Sequence, residues 1–217
     1  MLDRYRAKQP GATLPSLLFY TFARRSAHLF YRIFYRIRVE GAENIPATGA
    51  VILACNHQSN FDPPAIGSSI DHRNLDFIAK VELFKPPLSW IIKGLNSIPV
   101  RGSAADTASI KEVIARLEQG RATLIFPEGS RTPDGEIKEF QRGVMLLVKR
   151  GACPVVPCAI EGPFKAWPRG GKMKLFGVRF RLIFGKPIPH AELMALGNDG
   201  ALARLREEIV ALRAKIM

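Results

Sequence analysis

Residues 56–62 of this chain read Asn-His-Gln-Ser-Asn-Phe-Asp, and they follow an apolar run, Ala-Val-Ile-Leu-Ala-Cys, over residues 50–55. On a helix, the five-residue spacing of His57 and Asp62 would place their side chains roughly 140° apart. A strand that ends near His57, a tight turn and a helix that begins at Asp62 would bring them together. The prolines at 63 and 64 favour this geometry, because proline fits the first turn of a helix and aspartate is a preferred N-cap.

Two interpretations of this pair stay open from these residues alone. An imidazole takes a proton near neutral pH, and a nearby carboxylate fixes its tautomer and stabilises the imidazolium, so His57 and Asp62 suit general base catalysis. Alternatively, Asp62 caps its helix and His57 is an ordinary polar residue at a strand end.

The composition is that of a globular protein with an unusual charge. The chain has 217 residues, is 47% hydrophobic and 24% charged, and carries a formal net charge of +13. Such a charge attracts anionic lipid, nucleic acid or a phosphorylated substrate. The three cysteines, Cys55, Cys153 and Cys158, show no zinc or redox spacing, and we expect buried free thiols in a reducing compartment.

Residues 14–38 predict an amphipathic helix. The basic face of this helix carries Arg25, His28, Arg32 and Arg36. The opposite, apolar face carries Phe22, Phe30, Ile33, Phe34 and Ile37. This pattern is typical of a helix that lies in the headgroup region of a membrane, although packing on its own domain is the alternative. No uncharged apolar run is long enough to span a bilayer and no signal-peptide cleavage pattern follows, so we expect a cytoplasmic protein.

The rest of the chain alternates strands with helices. The predicted strands are Arg38–Glu40, Val51–Asn56, Asp76–Ala79, Ser97–Val100, Thr123–Phe126, Val155–Ile160, Lys172–Phe176 and Arg179–Phe184. The predicted helices are Ser103–Gln119, Gln141–Arg150 and Ala201–Ile216. The alternation predicts an α/β fold with a mixed, largely parallel sheet flanked by helices. We therefore divide the chain into a membrane-associating segment, residues 1–37, and a catalytic domain, residues 38–217.

Further charged residues follow the predicted strands. Arg101 follows Ile-Pro-Val, and residues 126–132 read Phe-Pro-Glu-Gly-Ser-Arg-Thr after another strand. Ligands of open α/β sheets gather beyond the carboxyl ends of the strands. The residues expected to meet there are His57, Asp62, Arg101, Glu128 and Arg131. Two arginines at that edge would hold a phosphate. Leu83-Phe84 and residues 88–92 form a second apolar patch that faces lipid, lines an acyl tunnel or packs in the core.

In their order, these segments resemble the glycerolipid acyltransferase superfamily, most closely the bacterial 1-acyl-sn-glycerol-3-phosphate (lysophosphatidate) acyltransferases. His57 and Asp62 match the family's His-x4-Asp motif, Arg101 its second motif, and residues 126–132 its Phe-Pro-Glu-Gly-Thr/Ser-Arg-Ser/Thr motif. Val156-Pro157 corresponds to a fourth. The resemblance covers roughly residues 38–190, with Gly102 and Ser130 as small departures.

The resemblance implies a direct acyl transfer. His57 would be the general base and Asp62 its partner, while the acceptor would be bound by Lys80, Arg101, Glu128, Gly129, Ser130 and Arg131. The implied donor is acyl-CoA or acyl-carrier protein, with no metal and no other cofactor, and the implied product is phosphatidic acid for phospholipid biosynthesis.

Other functions remain open at this point. Glycerol-3-phosphate, lyso-ornithine lipid or another lysophospholipid are alternative acceptors, and a thioester or ester hydrolase is a rival activity. A nucleic-acid-binding module is disfavoured because the chain has no recognised binding motif. The expected location is the anionic, cytoplasmic face of the cell membrane, with peripheral or monotopic attachment.

Overall fold

A single sheet of seven strands organises the computed structural model, which describes residues 8–101 and 107–217. Its strands are β1 (Arg38–Glu40), β2 (Val51–Cys55), β3 (Leu75–Lys80), β4 (Ser97–Val100), β5 (Ala122–Ile125), β6 (Val155–Glu161) and β7 (Arg181–Phe184). The order across the sheet is β1-β7-β6-β2-β5-β3-β4. The five strands from β6 to β4 are mutually parallel, and β7 pairs antiparallel with β6. The carboxyl ends of β2 to β6 therefore share one edge of the sheet.

Helices cover both faces of this sheet. They are α1 (Leu14–Tyr35), α2 (Asp62–Ser68), α3 (Leu88–Gly94), α4 (Thr107–Glu118), α5 (Val144–Gly151), α6 (Pro163–Ala166), α7 (His190–Ala195) and α8 (Gly197–Ile216), with 3₁₀ turns at Ala42–Asn44 and Val81–Leu83. Strand β2 shows why two layers form: Ile52 and Ala54 belong to a core with α4, α5, α7 and α8, while Val51, Leu53 and Cys55 belong to a second core with α1 and α2. Because both faces of β2 are apolar, both need a helical layer. The predicted α/β fold is confirmed.

The structure removes one predicted strand and shifts the starts of other predicted elements. Residues 172–176 form no strand: the Lys174 N–H donates to the Ala166 carbonyl and the Lys174 carbonyl accepts from the Tyr35 hydroxyl. The adjoining sheet edge is already filled, because β1 pairs with β7. Strand β7 begins at Arg181, two residues later than predicted, and α5 begins at Val144, because the N–H of Gln141 donates to the Pro127 carbonyl in the preceding loop. The predicted helix 103–119 is described from Thr107 only; residues 103–106, like Gly102, lie outside the described part.

Helix α1 is present, and it packs on the domain through a side that carries tyrosines. Tyr20, Tyr31 and Tyr35 are buried, and Tyr35 stacks on Phe180 with ring centroids 4.3 Å apart. Phe30 and Phe34 also lie in this aromatic layer, whereas Phe22 is 71% exposed. The tyrosines take the inward side because their rings are largely apolar and their hydroxyls find partners, as when Tyr31 donates to the Phe61 carbonyl.

The outward side of α1 exposes the apolar residues Leu18, Phe22, Leu29 and Ile33, with Arg25 and Arg32 exposed between them. Leu83, Leu88, Trp90 and Ile91 are exposed as well, so the patch around α3 is not part of the core. In the described part of the chain, no helix combines the length and apolar character that crossing a bilayer requires. All three cysteines are buried free thiols, as predicted.

Candidate active site

The predicted strand ends converge at one edge of the sheet. His57 lies two residues beyond β2, and residues 126–132 follow β5, the neighbour of β2. Lys80 ends β3 and Arg101 follows β4, at the same edge. At about 4.8 Å per strand, however, β4 lies about 14 Å from β2, so Arg101 stands at the margin of the site.

The geometry of His57 and Asp62 supports the functional interpretation over the capping one. Asp62 is the first residue of α2, and its side chain makes no capping bond to that helix. Its Oδ2 instead accepts hydrogen bonds from His57 Nδ1 at 2.8 Å and from the N–H groups of Gln58 and Ser59 at 2.6 and 2.7 Å. The carboxylate thus faces back into the loop that carries the imidazole.

Burial makes this carboxylate responsive to the charge of its partner. Asp62 is fully buried, which raises its pKa above the ordinary value, while the bonds and charge of His57 oppose that rise. Its second oxygen, Oδ1, is buried with no hydrogen-bond partner among residues 8–101 and 107–217. A buried, under-solvated carboxylate gains most when a positive charge forms beside it. Asp62 is therefore suited to stabilise an imidazolium at His57.

The loop after β5 holds the histidine in place. Phe126 stacks on the imidazole at a centroid distance of 3.9 Å and an interplanar angle of 16°. The His57 carbonyl accepts from the Thr132 N–H at 2.8 Å. Since Asp62 takes Nδ1, these contacts leave Nε2 as the ring nitrogen available to a substrate hydroxyl.

Glu128 braces the same loop. Its side chain is only 2% exposed; Oε1 accepts from the His57 N–H at 2.7 Å and Oε2 from the Lys138 N–H at 3.0 Å. Burial raises the pKa of Glu128, against the effect of these two bonds. Both oxygens are engaged by the protein backbone, so the geometry favours a role in positioning His57 over the direct acceptor contact expected from the sequence.

We expect Glu128→Gln to lower kcat by about tenfold and the free energy of unfolding by about 2 kcal/mol. A glutamine offers one acceptor oxygen and one N–H₂ group, so the amide of His57 or of Lys138 would face another donor. Steady-state kinetics and chemical denaturation measure the two effects. Glu139→Gln is the control, because Glu139 is exposed in the same loop. Full activity of the Glu128 variant would contradict the bracing role.

Gly129 and Ser130 of the same loop contribute a backbone turn and a hydroxyl group to the site. Gly129 has φ of 69°, a conformation that glycine adopts without strain, and a Cβ there would lie 3.0 Å from Gln141 Cγ. The Ser130 hydroxyl accepts from Lys138 Nζ at 2.6 Å. Lys138 is thus a basic group of the site that the sequence motifs did not indicate.

Arg131 has a second arginine for a neighbour. Arg131 is half-buried, and its pKa is lowered first by burial and then by the positive charge of Arg169, while Asp62 acts in the opposite direction. The loop that carries Arg169 is tied to the histidine loop, because Ser59 Oγ donates to the Trp167 carbonyl at 2.8 Å. Arg169 was missed by the sequence analysis; its signal is an arginine between Pro168 and two glycines after a strand end.

The chain is similar to proteins of known activity. A family model described as Acyltransferase matches residues 36–161, more than half of the chain. The chain is 32% identical to the 1-acyl-sn-glycerol-3-phosphate acyltransferase of Bacillus subtilis, over 80% of this chain and 84% of that one. It is 27% identical to the chloroplastic enzyme LPAT1 of Arabidopsis thaliana, over 84% of this chain and 54% of the plant chain.

A solved structure has the same fold. The crystal structure of the 1-acyl-sn-glycerophosphate acyltransferase PlsC from Thermotoga maritima matches with a TM-score of 0.75 and 29% sequence identity. The match covers 92% of this chain and 77% of that one.

Proposed function

The chain belongs to the acyltransferase family, and we propose that it transfers a fatty acyl group to the free hydroxyl of 1-acyl-sn-glycerol-3-phosphate, giving phosphatidic acid. The observation that carries the proposal is the 2.8 Å bond between His57 Nδ1 and the buried Asp62, at the sheet edge that also holds Arg131. The activities named for the Bacillus subtilis and Thermotoga maritima proteins support the choice of acceptor.

In the proposed reaction, His57 Nε2 is the general base. His57 Nε2 takes the proton from the hydroxyl of the acceptor lipid. The hydroxyl oxygen attacks the carbonyl carbon of the thioester at the same time and forms the new C–O bond. The tetrahedral intermediate collapses, the C–S bond breaks, and the imidazolium returns the proton to the departing thiolate. Asp62 stabilises the imidazolium between these steps. The product is an ester and a free thiol, and no acyl-enzyme forms.

The phosphate of the acceptor is assigned to Arg131 and Arg169. Guanidinium groups bind phosphate oxygens by charge-assisted hydrogen bonds that are often bidentate. The pKa of Arg131 is lowered first by burial and second by the positive charge of Arg169, and a phosphate between the two arginines would offset both effects. Lys80 and Arg101 extend the positive field along the same edge.

The donor and the membrane surface complete the proposal. The donor is acyl-CoA or acyl-carrier protein. The exposed apolar side of α1 docks at the anionic, cytoplasmic face of the membrane, together with the α3 patch, which is adjacent because a Cβ at Gly94 would lie 2.5 Å from Phe19. Arginines beside exposed aromatic and aliphatic residues are typical of such an interface. An enzyme held there meets its lipid acceptor at high local concentration.

Thiol release measures the proposed activity directly. Purified protein in detergent or lipid is incubated with acyl-CoA, with and without lysophosphatidate, and free thiol is followed over time. We expect release that depends on the acceptor, with phosphatidic acid as the lipid product. Thiol release that ignores the acceptor would establish a hydrolase instead. A panel with glycerol-3-phosphate, lyso-ornithine lipid and other lysophospholipids identifies the preferred acceptor.

Arg131→Ala is expected to raise the KM for the acceptor by about 10- to 100-fold, with a smaller effect on kcat, because a charge-assisted bond to phosphate is lost. Acceptor kinetics at saturating acyl-CoA provide the measurement. Arg142→Ala is the matched control, since Arg142 is exposed and pairs with Asp199 on the surface. An unchanged acceptor KM in the Arg131 variant would remove this residue from the phosphate site.

A further inference from the structure

A pocket lined by arginines lies at the other end of the catalytic edge. Arg36, Arg38, Arg179 and Arg181 surround a cavity of about 100 Å³ whose remaining lining residue is Phe180. Arg38 and Arg181 belong to β1 and β7, which are separated from β2 by β6. At about 4.8 Å per strand, β1 lies about 14 Å from the strand that carries His57, so this pocket is separate from the proposed acceptor site.

The backbone fixes the four arginines in one place. Arg38 and Arg181 are paired across the two strands, and the Arg38 N–H donates to the Phe180 carbonyl at 3.0 Å. The Phe180 N–H donates in turn to the Tyr35 carbonyl at 2.9 Å. The buried Phe180 ring stacks on Tyr35 beneath the cavity. Arg38 and Arg181 therefore extend from paired strands, and Arg36 and Arg179 from the short segments that lead into them.

The positive charge of this pocket is not neutralised by direct ion pairs. Within residues 8–101 and 107–217, none of the four guanidinium groups forms an ion pair with a carboxylate. The carboxylate of Glu161, which pairs with Arg181 in the strand register, is already bound by Gln58 and Arg213. Four like charges around one small cavity repel each other unless an anion lies between them.

Arg36 occupies a backbone position that does not favour arginine. It is the C-cap of α1 with φ of 45°, a left-handed conformation for which glycine is preferred. Arginine at this position adds a fourth guanidinium group to the pocket at a cost in backbone strain.

We propose that Arg36, Arg38, Arg179 and Arg181 form a second phosphate-binding site, and that its ligand is the phosphate of an anionic phospholipid in the membrane. Guanidinium forks match phosphate oxygens, and phosphodiesters are the abundant anions at the headgroup level. The pocket directly follows the last turn of α1, whose outward side exposes Phe22, Leu29 and Ile33, so docking of that helix would bring the pocket to the headgroups. The site is independent of the acyl-transfer chemistry and would hold the enzyme on anionic membrane.

Vesicle binding tests the site. The double variant Arg179→Gln/Arg181→Gln is compared with Lys149→Gln/Arg150→Gln, which removes the same charge from exposed positions at the end of α5. On phosphatidylcholine vesicles that contain phosphatidylglycerol, we expect the pocket variant to bind about 30-fold more weakly than the wild type, and the control less than about threefold. Both should bind pure phosphatidylcholine like the wild type. Equal losses in the two variants would overturn the site in favour of diffuse attraction.

Arg36→Gly removes a guanidinium group without a backbone penalty, because glycine suits the left-handed C-cap. We expect an unchanged or higher Tm and about fivefold weaker binding to the anionic vesicles. Binding equal to that of the wild type would contradict the assignment. In all pocket variants, acyl transfer to detergent-dispersed lysophosphatidate should keep its wild-type rate, which separates loss of this site from failure of the proposed function.

A calorimetric titration with inorganic phosphate distinguishes the lipid from a free ion. It is done in the Arg131→Ala background so that the proposed acceptor site does not contribute. Phosphate binding that the pocket variant loses, together with weaker vesicle binding, supports the proposal. Phosphate binding that is lost while vesicle binding is unchanged would overturn the lipid assignment.

Discussion

Replacing His57 with alanine is expected to lower kcat for acyl transfer by about 10³-fold and to leave the acceptor KM nearly unchanged. The variant loses the imidazole that Asp62 orients, so the acceptor hydroxyl would have to attack the thioester without first giving up its proton. The phosphate contacts of Arg131 and Arg169 would remain. Thiol release at saturating donor and acceptor measures the effect.

The chain contains a matched control for this experiment. His72 also lies beside an aspartate, with Nδ1 3.7 Å from Asp71 Oδ1, but Asp71 is exposed and the pair is remote from the strand carboxyl ends. His72→Ala should therefore retain the wild-type rate. If His57→Ala kept more than about a tenth of the activity, general base catalysis by His57 would be excluded.

The sequence was sufficient to predict the layers of the fold and the edge that carries the site. Runs such as Val51–Cys55 and Val155–Glu161 are apolar at nearly every position, which is the signature of strands buried on both faces. Such strands are parallel, and parallel strands place their carboxyl ends together. Once residues 51–68 are interpreted as a strand, a turn and a helix, the contact between the side chains of His57 and Asp62 can be predicted from their spacing.

Features that depend on three-dimensional packing could not be predicted in this way. The side of α1 that is buried is decided by the shape of the surface around Phe61 and Phe180, which accepts tyrosine rings, and not by hydropathy along the helix. The role of Glu128 depends on two backbone N–H groups from distant segments. Arg169 joins Arg131 only because the loop after α6 folds back onto Ser59.

Asp62→Asn is expected to lower kcat by about 10²- to 10⁴-fold while the protein stays folded. The amide oxygen of asparagine can accept the three bonds that Oδ2 accepts now, since two of the donors are backbone N–H groups that cannot turn away. The N–H₂ group then takes the place of Oδ1, which is buried without a described partner. The geometry survives, and the negative charge that stabilises the imidazolium is lost.

The free energy of unfolding should move in the opposite direction to the activity. Burial raises the pKa of Asp62, so the folded protein binds this proton more tightly than the unfolded chain. The contribution of Asp62 to stability is therefore greatest at acid pH and declines as pH rises through the raised pKa. Asparagine does not titrate, so its contribution to the free energy of unfolding does not change with pH. The variant should therefore gain stability relative to the wild type as the pH is raised from acid to neutral.

Denaturation at acid and neutral pH, alongside kinetics, tests both halves of this prediction. Asp71→Asn, in the exposed His72 pair, is the control and should leave the rate unchanged. A variant at Asp62 that lost stability and activity together would assign the carboxylate to the structure of the loop. Lost activity with retained or increased stability would show that the Asp62 carboxylate serves to stabilise the imidazolium. A buried charge that lowers the stability of the fold and yet is needed for the rate has a catalytic role and not a structural one.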